Sequence, residues 1–227
     1  MKLALFDLDR TLLSGDSDVL WCRFLVEHGV LERGLLERND EMAARYADGT
    51  VTPAAFCNFF AATLAGHDLA HWAPWRERFL KDVIRPRIPA DARALLQRHR
   101  DAGDTLLLTT ATNRVLTELT AADLGVEHLL ATELDERDGV YTGRIRGKPN
   151  MRRGKVEHLL AWLAASGRPT TRLKHATFYS DSINDLALLS AVGHPIAVDP
   201  DARLESAARR HLWPILRLER GTFQGSA

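Results

Sequence analysis

Short apolar runs, separated by stretches of helical period, constrain this chain most. Leu3–Phe6 (LALF), residues 105–110 (TLLLTT) and residues 176–180 (ATFYS) are too short to be ordinary helices. Their apolar residues sit side by side instead of alternating with polar ones, which suits strands of a parallel sheet covered on both faces. Between and after them lie amphipathic stretches at 91–103, 113–125, 154–167 and 184–193. PIAV (195–198) and WPILRL (213–218) read as short final strands. Such alternation predicts an α/β fold with a doubly wound, mainly parallel sheet. Asp138-Gly139 within 128–147 marks a hairpin turn between two further strands.

Residues 17–85 break this pattern. They hold helical stretches such as DVLWCRFLVEHGV and TPAAFCNFFAATLAG and no strand pattern. Thr52 then Pro53 reads as an N-cap followed by a first-turn proline. The aromatics Trp21, Phe24, Phe56, Phe59, Phe60, Trp72 and Trp75 fall here and are expected mainly as core. The segment reads as an inserted helical cap at 16–85. The α/β core then comprises 1–15 and 86–220, with 221–227 a mobile tail. Residues 85–91 (RPRIPAD), with two prolines, suit a boundary.

In open α/β sheets, ligands bind beyond the carboxyl ends of the strands. The first run is followed by Asp7 and Asp9, the second by Thr109, Thr110 and Thr112, the third by Asp181 and Asp185. Any one aspartate could be a turn residue. Three such strand ends brought together make a carboxylate cluster, which requires a cation or protons. Oxygen donors without histidine or cysteine suit Mg²⁺. Strand alternation favours Thr110 over Thr109 as a hydroxyl facing the site, and Lys155, at a helix start, offers a donor for phosphate. Asn113 is expected to cap a helix. The set suits phosphoryl transfer.

Lys plus Arg and Asp plus Glu both number 30, so charge gives no case for nucleic acid or an anionic membrane as partner. Two cysteines make no disulfide framework, no apolar run reaches a membrane span, and the first apolar stretch is too short for a signal-peptide core. A cytoplasmic location is the expectation. His67 and His71 share a helix face without further metal ligands nearby, and residues 144–155 are basic; both read as solvated surface.

DLDRTL, LLLTTATN, Lys155 and YSDSINDLALL together resemble, in order and spacing, the four motifs of the haloacid dehalogenase superfamily of phosphohydrolases. The likeness covers nearly the whole chain and is strongest to the subgroup with a helical cap that includes phosphoserine phosphatases. It implies a Mg²⁺-dependent phosphomonoesterase acting on a small-molecule phosphate ester, with phosphoserine and histidinol phosphate as possible substrates. By resemblance, Asp7 is the nucleophile forming an aspartyl-phosphate, and Asp9 is the general acid and base. The metal set is Asp7, Asp9 (by its backbone carbonyl), Asp181 and, at one remove, Asp185, which orients Lys155 or a metal-bound water. Thr110, Ala111, Lys155 and Asn184 face the phosphate ester. Asp16 matches an acid turned towards the substrate amine. Two departures stand out: Arg10, which either faces solvent or tunes the entrance as a substrate-binding residue, stands where many members have Gly or Ser, and Thr110-Ala111-Thr112 replaces Ser-Gly-Gly, which weakens phosphoserine as the substrate. A phosphomutase on the same site, a dehalogenase, and a non-catalytic phosphate-binding protein are the rival readings; the acidic Asp181/Asp185 pair argues against a dehalogenase.

Overall fold

The structure is a computed structural model and describes residues 2–220, so the expected tail at 221–227 lies outside the described residues. Six parallel strands form the main sheet: β1 (Leu3–Phe6), β2 (Thr105–Asn113), β3 (His128–Thr132), β6 (Thr177–Ser180), β7 (His194–Val198) and β8 (Ile215–Leu216). Their spatial order is β3-β2-β1-β6-β7-β8. The order reverses at β1, so its carboxyl end is a topological switch point. In register, Phe6 lies beside Leu108 on one side and Tyr179 on the other.

The period of two along each strand sorts the core into halves. Ala4, Phe6, Leu106, Leu108 and Tyr179 pack on one face with α5 (Ala90–Asp101) and α6 (Arg114–Asp123). Leu3, Leu5, Leu107 and Phe178 pack on the other with α7 (Arg153–Ala165), α8 (Leu186–Leu189) and α9 (Ala202–His211). Leu8 is fully buried in the first half, turned away from its aspartate neighbours.

Between β1 and β2 the chain is helical: α1 (Ser17–Glu27), α2 (Gly34–Ala47), α3 (Pro53–Ala61) and α4 (Leu69–Phe79), with a π turn at 80–84 and a 3₁₀ turn at 85–87. Thr52 accepts from the Ala55 N–H, with Pro53 in the first turn, as its sequence predicts. Trp21, Trp72 and Phe79 are core residues here. The hairpin β4 (Leu134–Arg137) and β5 (Val140–Ile145) turns at Asp138 and Gly139, with φ of 51° and 79°, as a two-residue primed turn requires. It is fastened to the helical segment: Ile145 N–H donates to Asn58 Oδ1 at 2.8 Å, and Tyr141 exchanges main-chain bonds with Gly66 and His67.

Two elements depart from the pattern read in the sequence. The stretch 184–193 gives only a 3₁₀ turn and the short α8, because Gly193 must leave the helix and lie against the Lys174 carbonyl. α9 is not anticipated, since its few apolar residues, Leu204, Ala207 and Ala208, are diluted by arginines. His67 and His71 are exposed, their rings stacked at 3.7 Å. Among the described residues, no helix is long and apolar enough to cross a membrane.

Candidate active site

The carboxyl ends of β1, β2 and β6 converge on a cavity of about 280 Å³. Asp7 takes the first position after β1, its N–H donating to the Tyr179 carbonyl. Its carboxylate is buried. Oδ1 accepts from Lys155 Nζ at 2.7 Å and Oδ2 from Thr11 Oγ1 at 3.2 Å. Lys155 stands in the first turn of α7, which starts so close to the preceding loop that a Cβ on Gly154 would lie 2.2 Å from the Pro149 carbonyl oxygen. Only glycine allows that approach, and the approach carries Lys155 inward. The same ammonium donates to Asp185 Oδ2 at 2.6 Å, an oxygen that also accepts from Ser180 Oγ at 2.7 Å. Burial opposes the Lys155 charge, but Asp185 and Asp7 outweigh it and hold its pKa above the usual lysine range.

Asp181 faces the same hydroxyl as Asp7. Thr11 Oγ1 lies 3.1 Å from Asp181 Oδ1 and accepts from the Asp181 N–H at 3.0 Å. One hydroxyl proton cannot serve both carboxylates at once. Burial pushes Asp7 up to about 6, partly countered by Lys155. Burial, then repulsion from Asp7 and Asp185, pushes Asp181 up to about 8. Asp9 rises to about 7, through burial first and then Asp16 and Asp7. Its Oδ1 accepts from the Ser17 N–H at 2.7 Å, and its Oδ2 from Thr112 Oγ1 at 2.9 Å and Thr110 Oγ1 at 3.4 Å. The cluster therefore holds more negative charge than its cations balance.

Thr110 is fully buried with its hydroxyl towards Asp9, whereas Thr109 accepts from Asn150 Nδ2 at 3.0 Å. The same Asn150 amide holds the carbonyls of Thr110 and Leu130, tying β2 to β3 where the site begins. Ala111 lines the cavity, and Asn113 caps α6 by accepting from the Leu116 N–H. Asp16 caps α1 and pairs with Arg10 at 3.3 Å. Arg10 itself sits at φ 57°. Asn184 lines the cavity rim and accepts from Arg152 Nε at 3.2 Å.

Other residues of the site are not singled out by sequence reasoning. Thr11, Ser17 and Ser180 join Thr112, already noted at its strand end, in supplying the hydroxyl and N–H donors that hold the carboxylates. Asp18 is 8% exposed, its Oδ2 near Thr112 Oγ1 at 3.2 Å and its Oδ1 without a partner. Burial, then Asp16 and Asp9, drive its pKa well above the carboxylate norm. Tyr46, Phe56 and Phe60 line the opposite wall with Val19, Ala43 and Met151. The usable sequence signal was proximity: Thr11, Ser17 and Asp18 all lie within a dozen residues of Asp7.

Among the described residues, no three acidic, histidine or cysteine side chains close into a cation site by themselves. Asp7 and Asp181 could contribute two carboxylates to a hard cation whose remaining positions went to main-chain carbonyl and water.

A family model described as haloacid dehalogenase-like hydrolase matches residues 4–190. A histidinol-phosphatase of Neisseria meningitidis is 36% identical over 220 residues, covering 96% of this chain and 99% of that protein. A phosphoserine phosphatase of Mycobacterium tuberculosis, SerB1, is 34% identical over 221 residues, covering 93% of this chain and 69% of that protein. A crystal structure of a protein of unknown function from Bordetella pertussis superposes with a TM-score of 0.89 at 42% identity, covering 95% of this chain and 97% of that one.

Proposed function

The chain belongs to the haloacid dehalogenase-like hydrolases, matched from residue 4 to 190, and from that premise we propose a Mg²⁺-dependent phosphomonoesterase that works through an aspartyl-phosphate on Asp7. The observation that carries the reading is the buried Lys155 bridging Asp7 and Asp185 at 2.7 and 2.6 Å, beside Asp9.

An Asp7 oxygen attacks phosphorus, and the ester P–O bond breaks. Asp9, standing over the same site, gives its proton to the leaving alkoxide. A carboxyl near 7 holds that proton at neutral pH and can also lose it. Asp9 then takes a proton from water, which attacks phosphorus, releasing phosphate and the Asp7 carboxylate. Lys155 balances charge between Asp7 and the phosphoryl group, and Asp185 with Ser180 orients Lys155. Ala111 lines the cavity and would face the phosphoryl oxygens, whereas the fully buried Thr110 lies behind it with its hydroxyl on Asp9, so its part here is to hold Asp9.

The donor set suits the metal. It is all oxygen, and the raised pKa values of Asp7 and Asp181, due to burial, mark charge that a hard divalent cation would relieve. Asp7, Asp181 and the Asp9 carbonyl would hold it, and it would neutralise phosphoryl charge.

We read residues 16–85 as the cap that selects the organic part of the ester. The two cations lining the cavity are already paired, Arg10 with Asp16 and Lys155 with Asp7 and Asp185. The remaining wall offers the carboxyls of Asp16, shared with Arg10, and of Asp18, whose second oxygen is unpartnered, and the rings of Tyr46, Phe56 and Phe60. That wall suits a cationic group on an apolar or flat body, and among its lining residues it holds no unpaired cation for a substrate carboxylate. A histidinol-phosphate-like ester fits better than phosphoserine, in keeping with the name of the Neisseria relative.

The test is release of free phosphate from an aryl phosphate with Mg²⁺, by the protein and by Asp7→Asn. Turnover should vanish in the variant; turnover that survives there overturns the nucleophile. Histidinol phosphate should exceed phosphoserine in kcat/KM by roughly tenfold or more, the scale of one unmatched polar contact; the reverse order overturns the cap reading.

A further inference from the structure

Arg220 stands beyond β8 and does not itself line the cavity, yet it grips the loop that follows the candidate acid and base. Its Nε donates to Asp199 Oδ2 at 2.8 Å. Nη1 reaches the Leu13 carbonyl and Ser14 Oγ, each at 3.2 Å. Nη2 reaches the carbonyls of Arg10 at 2.6 Å and Thr11 at 2.9 Å. All three guanidinium nitrogens are engaged, and the side chain is 23% exposed.

The loop needs such a partner. Leaving β1, it turns so sharply that the N–H groups of Thr11, Leu12 and Leu13 all point at the Leu8 carbonyl. Arg10 takes a left-handed φ of 57°, a conformation costly for a residue with a Cβ. The carbonyls of Arg10 and Thr11 are left outside the strand ladders, and that of Leu13 is taken only by the Gly15 N–H within the loop. A planar fork with five N–H groups and a permanent charge matches them; a lysine cannot span them. Asp199, directly after β7, braces the guanidinium from the sheet. The inner face of the same loop presents Thr11 Oγ1 to Asp7 and Asp181, and its exit brings the Ser17 N–H to Asp9.

We propose that Arg220 is a positioning residue for the reaction. Held from outside by one guanidinium, the 10–14 loop keeps Thr11 between Asp7 and Asp181 and keeps Asp9 in reach of the leaving oxygen. For its kinetic consequence this inference rests on the roles proposed above for Asp7 and Asp9. Displacements of the order of an ångström at a reacting group are costly, up to about a hundredfold in rate.

Arg220→Ala should lower kcat for an aryl phosphate by roughly tenfold or more, with KM little changed. Added guanidinium chloride at low millimolar concentration should restore part of the loss, and sodium chloride should not. Arg220→Lys keeps the charge and recovers only a fraction, and Asp199→Asn, which removes the brace and leaves the fork, falls between. Independently of turnover, amide hydrogen exchange over residues 8–16 should quicken in Arg220→Ala and Arg220→Lys while exchange in β2 and β6 stays as in the parent protein. Unchanged exchange over 8–16 overturns the proposal. So does a kcat loss that merely follows a lowered melting temperature and ignores guanidinium. If the parent protein releases no phosphate from any ester, the phosphatase reading falls, and the exchange measurement alone decides whether Arg220 orders the loop.

Discussion

The cavity has two walls of different construction. At the strand ends nearly every polar atom is tied down: Lys155 to two carboxylates, Thr11 to two more oxygens, Ser180 to Asp185. The carboxylates and hydroxyls sit at or just beyond the ends of β1 and β6, which run side by side in register, and Lys155 enters from the first turn of α7. The helical wall is held by ring contacts, Tyr46 to Phe56 at 4.5 Å and Phe56 to Phe60 at 5.1 Å. It meets the core loop through Tyr46, whose hydroxyl donates to Met151 Sδ at 3.1 Å and whose ring lies 4.8 Å from the Arg152 guanidinium. Charge transfer at phosphorus tolerates little misplacement, whereas selecting an organic group asks mainly for shape. Under the proposed function, the contrast would assign rate to the first wall and affinity to the second.

The largest break in that contrast should come from Asp9. Asp9→Asn cannot deliver and recover a proton, and turnover of an alkyl phosphate should fall by roughly a thousandfold. An aryl phosphate, whose leaving group needs less protonation, should lose less. Equal losses for the two esters in steady-state assays would remove Asp9 from the acid role.

Lys155→Met comes next. It strands Asp7 and Asp185 in a buried site without their cation, which costs about 3 kcal/mol in comparable buried pairs. Urea denaturation reads the loss directly, and the protein should also lose turnover by about a hundredfold. Stability equal to the parent would mean that the ion pairs of Lys155 add nothing to the fold.

The first wall was legible in the sequence and the second was not. Asp7, Asp9, Thr110, Asp181 and Asp185 follow apolar runs, and a parallel sheet must bring such run ends to one edge. Lys155 needed the motif pattern as well, because nothing local shows that its helix starts against the Pro149 carbonyl. The helical wall depends on tertiary packing: Tyr46, Phe56 and Phe60 lie among aromatics that are mostly core, and periodicity cannot tell which ring faces a cavity. The same holds for Thr112 and Asp18, which meet across 94 positions of sequence, and for Arg220, which meets Arg10 across 210.

Phe56→Ala tests the second wall. Phe56 is half-buried and lines the cavity. Trimming it should raise KM for the preferred ester by about fivefold, the scale of one lost apolar contact, with kcat nearly kept. A fall in kcat with KM unchanged would move this ring from selection to chemistry.

Asp18 belongs to both walls, and its effect should be the smallest and the most dependent on pH. It starts from α1, yet its Oδ2 sits by Thr112 Oγ1, which also serves Asp9. Thr112 has one hydroxyl proton for two carboxyls, so when both bonds are made one of the acids carries a proton. Burial, with Asp16 and Asp9 nearby, raises the folded pKa of Asp18, so the native state keeps a proton that the unfolded chain releases. Its contribution to stability is therefore full below the unfolded pKa and is lost as pH rises through the folded one. Asp18→Asn removes the charge at every pH. Without added metal, the variant should be more stable than the parent at pH 8 by about 1 kcal/mol, a typical gain when a functional polar residue gives up its charge. That advantage should vanish below about pH 3, where Asp18 is largely protonated in both states. Melting temperatures of the two proteins across that range decide it: a difference that does not grow with pH would mean that Asp18 is ionised in the folded protein, with a cation already serving it.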